Sequence, residues 1–549
     1  MTHSPKAGQV HALPPVELEL PLGKKPRLAN RGTQKRESKR AKKRKEKNGL
    51  PEPCSAEDVL WRDVIAALGQ DVVDQALEDG TESDSPFEYH QELELEVSSV
   101  CSNGEAIARS PDESRPWAII VPFALPGEKI KARIYRNARL HSFADLLEVI
   151  TPNTTLRDNS RIRCQYFGTC GGCQYQMLSY ETQLDWKRDV VVKAYKNFSG
   201  LSESSVPLIQ ATIGSPLQYE YRTKLTPHFE APPKSARNNS ASSETKPEWL
   251  KIGFNRVGTS KTMDIEDCPI ATSVINEAYH SARENIAKNI YTYKKGVSLL
   301  YRDSLPVPSK SKTGKTLNSV AALSTSLEKH VCVTNHKETA REKVGDFIFE
   351  YIAGSFFQNN NSVLVPLTDY VRDAIFPTIT SGSVTNDPDA QPPTHLVDAY
   401  CGAGLFAITL SPHFQTVVGI ELSEDSIKAA KNNAELNKIP KQKIFFRAGD
   451  AADIFATVGD FPPEQTVLLI DPPRKGCDDN FIRQLLDFKC KTVVYVSCNV
   501  HTQARDVGKI LKATEREEKG RKYVLESVRG FDLFPQTAHV ESVAVLRLA

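Results

Sequence analysis

The feature that most constrains this chain is a regular alternation of short apolar runs and helical segments that begins near residue 394. Five β-branched runs predict strands, at His395–Asp398, Thr416–Glu421, Lys443–Phe446, Thr466–Asp471 and Thr492–Ser497. The segments between and after them predict helices, at Leu405–Leu410, Ser423–Asn437, Asp478–Asp487 and Thr502–Leu511. Strands that alternate with helices form a parallel, doubly wound sheet, which binds ligands beyond the carboxyl ends of its strands. We therefore expect an α/β domain with its site at that edge.

Length and composition exclude several classes of protein. A chain of 549 residues with 40% apolar and 25% charged residues is not collagenous, coiled-coil or wholly disordered. No run approaches the roughly 18–20 continuous apolar residues that cross a bilayer, and no apolar signal-peptide core follows Met1. Eleven cysteines are too few for a disulfide scaffold in a chain of this length. We expect them to be reduced thiols, metal ligands or catalytic groups.

Positive charge is concentrated at one end of the chain. Residues 1–50 hold 14 Lys and Arg against 4 Asp and Glu, a net of +10, whereas the whole chain is +2, so the remainder is −8. The block Lys35–Lys47 favours a nuclear-localisation signal or a nucleic-acid-binding arm, with a solvated tail of no specific role as the alternative. We expect the protein in the nucleus, the cytoplasm or both. One amphipathic helix is predicted over residues 55–80.

Residues 90–150 alternate apolar and polar side chains with a period of two. Several short strands within about 60 residues predict a small β-barrel. Its outward-facing Lys129, Lys131 and Arg133 would give the basic face that a nucleic-acid-binding barrel needs. Polar stretches at 231–248, 303–318 and 378–393 are interpreted as surface insertions.

The first predicted strand of the α/β domain leads into a glycine loop, Tyr400-Cys401-Gly402-Ala403-Gly404. Such glycines bring backbone N–H groups and a helix N-terminus close to a ligand. Glu421, at the end of the second strand, could accept hydrogen bonds from two ribose hydroxyls, and Asp450, after the third, is placed for an adenine contact. The same loop also fits a dinucleotide fingerprint, so an NAD enzyme remains an alternative at this point.

The fourth strand distinguishes these alternatives because it runs into Asp471-Pro472-Pro473-Arg474-Lys475-Gly476. Methyltransferases that use S-adenosylmethionine commonly place an acidic or amide residue before two prolines here, and the prolines fix the loop. The fifth strand ends at Ser497-Cys498-Asn499, and Thr537–Glu541 follows near the C-terminus. A buried structural cysteine and a surface glutamate are the ordinary interpretations of Cys498 and Glu541. Their positions at predicted strand ends favour catalytic roles instead.

Four cysteines have spacing typical of a metal site. Cys164, Cys170 and Cys173 form a C-x5-C-x2-C pattern with glycines between them, and Cys268 follows far along the chain. Four thiolates suit tetrahedral zinc or a [4Fe–4S] cluster, and spacing does not separate the two. Reduced cysteines without a metal are the alternative.

Together these segments resemble the RNA uracil-C5 methyltransferase family, and most of all its eukaryotic tRNA branch, which makes ribothymidine in the T loop. The matching segments are Phe357–Asn360, Asp398–Phe406, Asp471–Gly476, Ser497–Asn499 and Thr537–Glu541. The resemblance implies a class I Rossmann-like methyltransferase domain, S-adenosyl-L-methionine as methyl donor, and tRNA uridine 54 as target.

The resemblance also implies roles for single residues. Cys498 matches the nucleophile, Glu541 the general base and Asp471 the residue that hydrogen-bonds the uracil edge. The residues that match the family's cofactor-binding positions are Gln358, Tyr400, Gly402, Gly404, Glu421, Asp450 and Asp471. Bacterial relatives with the same cysteine set carry [4Fe–4S], so Cys164, Cys170, Cys173 and Cys268 are expected to hold this cluster, with zinc as the alternative. We expect the site to lower the pKa of the Cys498 thiol, because the thiolate is the nucleophile.

Four regions are expected along the chain. Residues 1–86 form a basic tail with a short helix, 87–151 a TRAM-like RNA-binding barrel, 152–345 a central α+β cysteine-cluster domain, and 346–549 the methyltransferase domain. We expect a monomer with no membrane partner. The alternatives are a methyltransferase that acts on ribosomal RNA, an amino-methylating enzyme on adenine or glutamine, and a non-enzymatic RNA chaperone. Amino-methylating enzymes place an aromatic residue where this chain has Arg474.

Overall fold

The secondary structure of a computed structural model is described for residues 50–236, 246–308, 329–377, 392–449, 458–516 and 520–549. The predicted basic arm and Asp450 lie outside these residues, as does most of the three predicted insertions. Residues 303 and 304 do not belong to a surface insertion, because they lie in a buried strand. Within the described ranges, no helix is long and apolar enough to cross a membrane.

The described helices are α1 (Ala56–Leu68), α2 (Gln70–Glu78), α3 (Tyr180–Ala194), α4 (Ser273–Asn289), α5 (Leu364–Ile375), α6 (Leu405–Leu410), α7 (Glu424–Leu436), α8 (Asp479–Phe488) and α9 (Val500–Glu515). The first ten strands are β1 (Glu92–Val100), β2 (Ala106–Arg109), β3 (Ala118–Val121), β4 (Lys129–Ala138), β5 (His141–Thr151), β6 (Gln210–Ile213), β7 (Lys224–Leu225), β8 (His228–Phe229), β9 (Val297–Ser298) and β10 (Tyr301–Ser304). The others are β11 (Val331–Val333), β12 (Thr339–Val344), β13 (Phe347–Ile352), β14 (His395–Ala399), β15 (Thr416–Glu421), β16 (Ile444–Ala448), β17 (Thr466–Ile470), β18 (Thr492–Ser497), β19 (Tyr523–Phe531) and β20 (Glu541–Leu548).

The single helix predicted over residues 55–80 is wrong, because the segment forms two helices separated at Gly69. Gly69 has φ +97°, a left-handed conformation that glycine adopts without steric cost. Its N–H still bonds the carbonyl of Ile65 at 2.8 Å and closes the last turn of α1. Val64 and Val73 pack into the core of the following barrel, so the two helices cover it.

Strands β1–β5 close into a barrel in the order β1-β2-β3-β5-β4. The expected basic face on β4 is wrong in one respect, since each of the three cations predicted to form it has a carboxylate partner. Lys129 pairs with Glu94 at 2.8 Å, Lys131 with Glu92 at 2.7 Å, and Arg133 with Asp145 at 3.5 Å. The antiparallel register places the β1 glutamates beside the β4 lysines, which neutralises that surface.

The α/β prediction is confirmed by an eight-stranded sheet in the order β16-β15-β14-β17-β18-β20-β19-β6. Strands β14–β18 are mutually parallel, and β20 runs antiparallel between β18 and β19. Both faces are covered: Val467 and Leu469 of β17 point into one apolar layer, and Leu468 and Ile470 into the other. Such two-sided burial requires the continuous apolar runs seen in the sequence.

The central part of the chain is joined to this sheet rather than separate from it. Strand β6 pairs in parallel with β19 at the sheet edge. Helix α3 packs against both β6 and β19. The segment that contains the cysteines is therefore in direct contact with the C-terminal strands.

Candidate active site

Strand register brings the predicted catalytic residues to one edge of the sheet. Ser497, the last residue of β18, pairs with Ser542 of β20, so Cys498 and Glu541 occupy the next positions on two adjacent strands. Asp471 follows Ile470, the last residue of β17, on the other side of β18. The cysteine and two carboxyl groups thus converge where the parallel strands end.

Burial sets the ionisation of this group. Glu541 is only 4% exposed. Burial and the charge of Asp471 raise the pKa of Glu541 to about 8, against the opposing effect of Arg474. Burial raises the pKa of Asp471 to about 7. Both carboxyl groups therefore titrate near neutral pH, where a general base works best.

The expectation of a lowered thiol pKa is wrong for the protein without ligands. Burial, followed by the negative charges of Glu541 and Asp471, raises the pKa of Cys498 to about 11. Arg474 is the side chain that opposes this shift. At neutral pH the free protein therefore holds Cys498 as a thiol.

Arg474 belongs to a loop that is fixed by its neighbours. Its carbonyl accepts hydrogen bonds from Asn499 Nδ2 at 2.9 Å and Thr502 Oγ1 at 3.2 Å, just after Cys498. Gly476 follows with φ +77°, and a Cβ there would collide with the Asp506 carboxylate. Arg474 and Lys475 are exposed and make no ion pair with any described residue, whereas the nearby Arg505 and Lys509 are paired.

A cavity of about 640 Å³ opens beside Cys498. Its wall includes Arg474, Lys475 and His539, and burial keeps the pKa of His539 low, at about 4. Its other side comes from distant parts of the chain, including Cys54 before α1 and Asn103 of the barrel. No residue of the glycine loop lines this cavity.

The glycine loop follows β14 and is held by Glu421. The Glu421 carboxylate accepts bonds from Gly402 N at 3.2 Å and Ser423 N at 3.0 Å, and its side chain is partly exposed. Gly404 has φ +92°, and a Cβ there would crowd Ile408 at 3.0 Å. The loop and the carboxylate that was predicted to bind ribose are therefore adjacent.

Two further predicted cofactor residues lie near this edge. Tyr400 adopts the left-handed φ of +64° directly after β14. Gln358 is 7% exposed, in a segment fixed by Asn360, whose Nδ2 bonds the carbonyl of Leu533 at 3.1 Å. Asp450, the predicted adenine contact, lies outside the described residues.

The four predicted metal-ligating cysteines share a second cavity, of about 620 Å³. All four are free thiols, and burial raises the pKa of each. The charges of neighbouring cysteines raise the pKa of Cys173 and Cys268 further. Over the described ranges, however, no three His, Cys, Asp or Glu side chains are grouped so that they could hold a metal ion.

Sequence reasoning missed the residues that hold the segment before Glu541. Lys187, Gln183 and Tyr180 of α3 bond this segment across more than 340 residues of sequence. Their spacing of three and four places them on one helical face. In the sequence these three residues form only a polar helix face, which does not differ from an ordinary solvent-exposed face.

Comparison with known proteins agrees with this geometry. The sequence model of the family described as tRNA (Uracil-5-)-methyltransferase matches residues 297–548. The tRNA (uracil(54)-C(5))-methyltransferase of Schizosaccharomyces pombe is 43% identical over 461 residues, which cover 84% of this chain and 79% of that protein. The protein of the same name from Saccharomyces cerevisiae is 35% identical over 507 residues, covering 86% and 77%.

A solved structure shares the fold. The crystal structure of Pyrococcus abyssi tRNA (uracil-54, C5)-methyltransferase in complex with S-adenosyl-L-homocysteine aligns with a TM-score of 0.54 and 23% identity. The alignment covers 82% of this chain and 99% of that one.

Proposed function

The chain belongs to the tRNA (uracil-5-)-methyltransferase family, and on that premise we propose that it methylates C5 of uridine 54 in tRNA, with S-adenosyl-L-methionine as the methyl donor. The observation that carries the proposal is the convergence of Cys498, Glu541 and Asp471 at one edge of the sheet, where a cavity opens beside Cys498. An amino-methylating enzyme has no use for this cysteine and glutamate pair.

Cys498 supplies the nucleophile. The thiol first gives up its proton to solvent. The thiolate sulfur then forms a bond to C6 of the uracil ring, and the electrons of the C5–C6 double bond move towards O4. C5 then becomes nucleophilic enough to take the methyl group from the sulfonium of the donor, which leaves as S-adenosyl-L-homocysteine. Arg474 favours the thiolate needed for this attack, while hydrogen bonding of Asp471 to the uracil edge would reduce the repulsion by its charge.

Glu541 completes the reaction as a base. It removes the proton from C5, the C5–C6 double bond forms again, and the bond between sulfur and C6 breaks. A pKa of about 8 suits this step, because the carboxylate is then strong enough to take a proton near neutral pH. The target uridine must leave its stack to reach Cys498, and the cavity of about 640 Å³ gives it room.

RNA contact is supported by the cations that remain unpaired. Arg474 and Lys475 lie at the cavity wall on a rigid loop, exposed and without a carboxylate partner among the described residues. The phosphate groups beside the target uridine would form ion pairs with these two cations. The barrel over β1–β5 would serve as a TRAM-like RNA-binding module through surfaces other than the paired face of β4.

Donor binding is assigned to the glycine-loop edge. Glu421 would accept bonds from the ribose hydroxyls, and the N–H groups around Gly402 and Gly404 would lie against the donor. Tyr400, Gln358, Asp450 and Asp471 would complete this site.

The direct test is methylation of unmodified tRNA by the purified protein, with 5-methyluridine mapped by mass spectrometry. We expect one methyl group at position 54 and none in a tRNA with cytidine at that position. Methylation of ribosomal RNA in preference to tRNA, or of an amino group, would contradict the proposal.

We propose that Cys164, Cys170, Cys173 and Cys268 hold a [4Fe–4S] cluster of structural role. Their shared cavity supports this, although the described side chains do not themselves form a group ready to ligate an ion. Protein purified without oxygen should contain about four iron and four sulfide per chain. One zinc and no sulfide would favour the zinc alternative, and neither metal would leave the cysteines as reduced thiols.

A further inference from the structure

The segment that leads to Glu541 is held at both ends by one buried lysine. This segment, which we call the 532–540 turn, runs from Asp532 to Val540. Lys187 of α3 has no exposed surface, and its Nζ donates to Asp532 Oδ1 at 2.5 Å. It also donates to the carbonyls of Phe534 at 3.0 Å and His539 at 2.9 Å. One side chain thus fixes the start of the turn and the residue two positions before Glu541.

The middle of the turn is fixed by a second set of bonds. Gln536 is 2% exposed and has φ +71°, a conformation that a residue with a Cβ adopts at a cost. Gln183 Nε2 donates to Gln536 Oε1 at 3.1 Å, and Gln536 N donates to Gln183 Oε1 at 3.0 Å. These reciprocal bonds offset the unfavourable backbone conformation.

The cysteine loop contributes to the same contact. The N–H groups of Gln174 and Tyr175, just after Cys173, donate to the carbonyl of Gln536 at 2.8 and 3.0 Å. Gln174 Oε1 accepts from Ala538 N at 3.3 Å. Tyr180, at the start of α3, donates to Asp532 Oδ2 at 2.9 Å. The turn is therefore bonded along its length to residues 174–187.

We infer that Gln183 and Lys187 are positioning residues for Glu541, acting through the 532–540 turn. The inference rests on the proposed role of Glu541 as the base that removes the C5 proton. Cys498 and the proposed donor site lie outside the turn, whereas His539 of the turn lines the cavity beside Cys498. Loosening the turn would move the Glu541 carboxylate away from C5 and slow the last step selectively. The covalent RNA adduct would then accumulate after it has been methylated.

The test is a single-turnover reaction of the full-length protein with tRNA tritiated at C5 of its uridines. Methyl transfer, tritium release and denaturant-stable protein–RNA adduct are measured together. For Gln183→Met we expect methyl transfer within about twofold of wild type, with tritium release slower by about tenfold or more and the adduct increased. Gln536→Gly is the second variant, since glycine accepts φ +71° and keeps the bonds from Gln174 and Tyr175 while the side-chain pair is lost.

Tyr523→Phe is the matched control. It removes a buried hydrogen bond of 2.7 Å to the Cys490 carbonyl, at the far end of β19. We expect it to leave the ratio of methyl transfer to tritium release unchanged. If both turn variants slow the two steps equally, or change neither, the positioning role is wrong while wild-type methylation still stands. If wild type forms no 5-methyluridine, the proposed function fails instead, and the inference with it.

Discussion

The ionisation of single residues shows how the site is arranged before substrate binds. Cys498 lies beside two carboxyl groups that disfavour its thiolate, and Arg474 is the opposing cation. Such an arrangement keeps the nucleophile protonated in the free enzyme and protects it from oxidation, which requires the thiolate. Reactivity is then expected only when the acceptor occupies the site.

Alkylation of Cys498 should report this directly. With a thiol pKa of about 11, the iodoacetamide rate should rise about tenfold per pH unit from pH 7 to 10 without a plateau. Arg474→Gln should lower the rate at each pH, because it removes the cation that favours the thiolate. Peptide mapping by mass spectrometry separates Cys498 from the other ten cysteines. A plateau near pH 8 would contradict the raised pKa.

The raised pKa of Glu541 leads to a prediction about how the stability of the folded protein depends on pH. Its pKa rises from an ordinary value of 4.5 to about 8 on folding, so the folded state retains a proton that the unfolded chain releases. Wild-type stability should therefore fall between pH 4.5 and 8 through this group. Glu541→Gln resembles the protonated form and avoids that loss. The variant's advantage in melting temperature should be absent at pH 4.5 and largest at pH 8; an advantage that shrinks with pH would reverse the sign we expect.

At the scale of elements, the loop after β17 is held in place by several local contacts. Its two prolines, the Gly476 turn and the bonds from Asn499 and Thr502 fix the backbone. Its two cations, Arg474 and Lys475, are nevertheless exposed and make no ion pair with any residue that the structure describes. A rigid backbone that presents free cations is suited to phosphate contact at low entropic cost.

Lys475→Gln should therefore weaken binding of tRNA rather than the chemistry. We expect KM for tRNA to rise about threefold to tenfold, with kcat nearly unchanged and a shallower dependence of affinity on salt. Lys431→Gln, on the exposed side of α7, is the matched control and should change neither constant. A fall in kcat at unchanged KM would mean that Lys475 acts on the reaction and not on the RNA backbone.

At the scale of the whole molecule, the cavity of about 640 Å³ beside Cys498 is lined by segments that lie far apart in the sequence. Cys54, Asn103, Gln174 and Cys498 line it together, although they come from the segment before α1, the barrel, the cysteine loop and the end of β18. A methyltransferase domain alone would not form this cavity.

The sequence predicts the sheet well because its pattern is local. Two-sided burial of β14–β18 produces continuous apolar runs that reveal the strands in the sequence. Because Cys498 and Asp471 directly follow two of these strands, the predicted strand ends are enough to place both residues at the same edge of the sheet. Long-range pairing has no such pattern. Lys187 and Asp532 are 345 residues apart, and a lysine on a polar helix face gives no sign of complete burial. The pairing of Lys129 and Lys131 with glutamates of β1 likewise depends on the register between β1 and β4, which the apolar–polar periodicity of the sequence does not predict.

The basic segment offers a prediction at this scale. Residues 1–50 carry a net of +10, while the rest of the chain is −8. Deleting residues 1–49 should leave kcat at saturating tRNA unchanged and raise KM most at low salt, since charge-based affinity is screened as salt rises. A collapse of kcat at saturation would show that the segment takes part in catalysis.

The measurement that bears most directly on the proposed chemistry uses tRNA with 5-fluorouridine at position 54. Fluorine at C5 leaves Glu541 no proton to remove, so the bond between sulfur and C6 cannot break. With S-adenosyl-L-methionine present, wild type should form a protein–RNA complex that survives denaturation, and peptide mapping should locate the RNA on Cys498. Cys498→Ala should form none. A complex of equal yield with Cys498→Ala, or methylation of uridine 54 by wild type without any trapped complex on the fluorinated tRNA, would contradict the covalent mechanism.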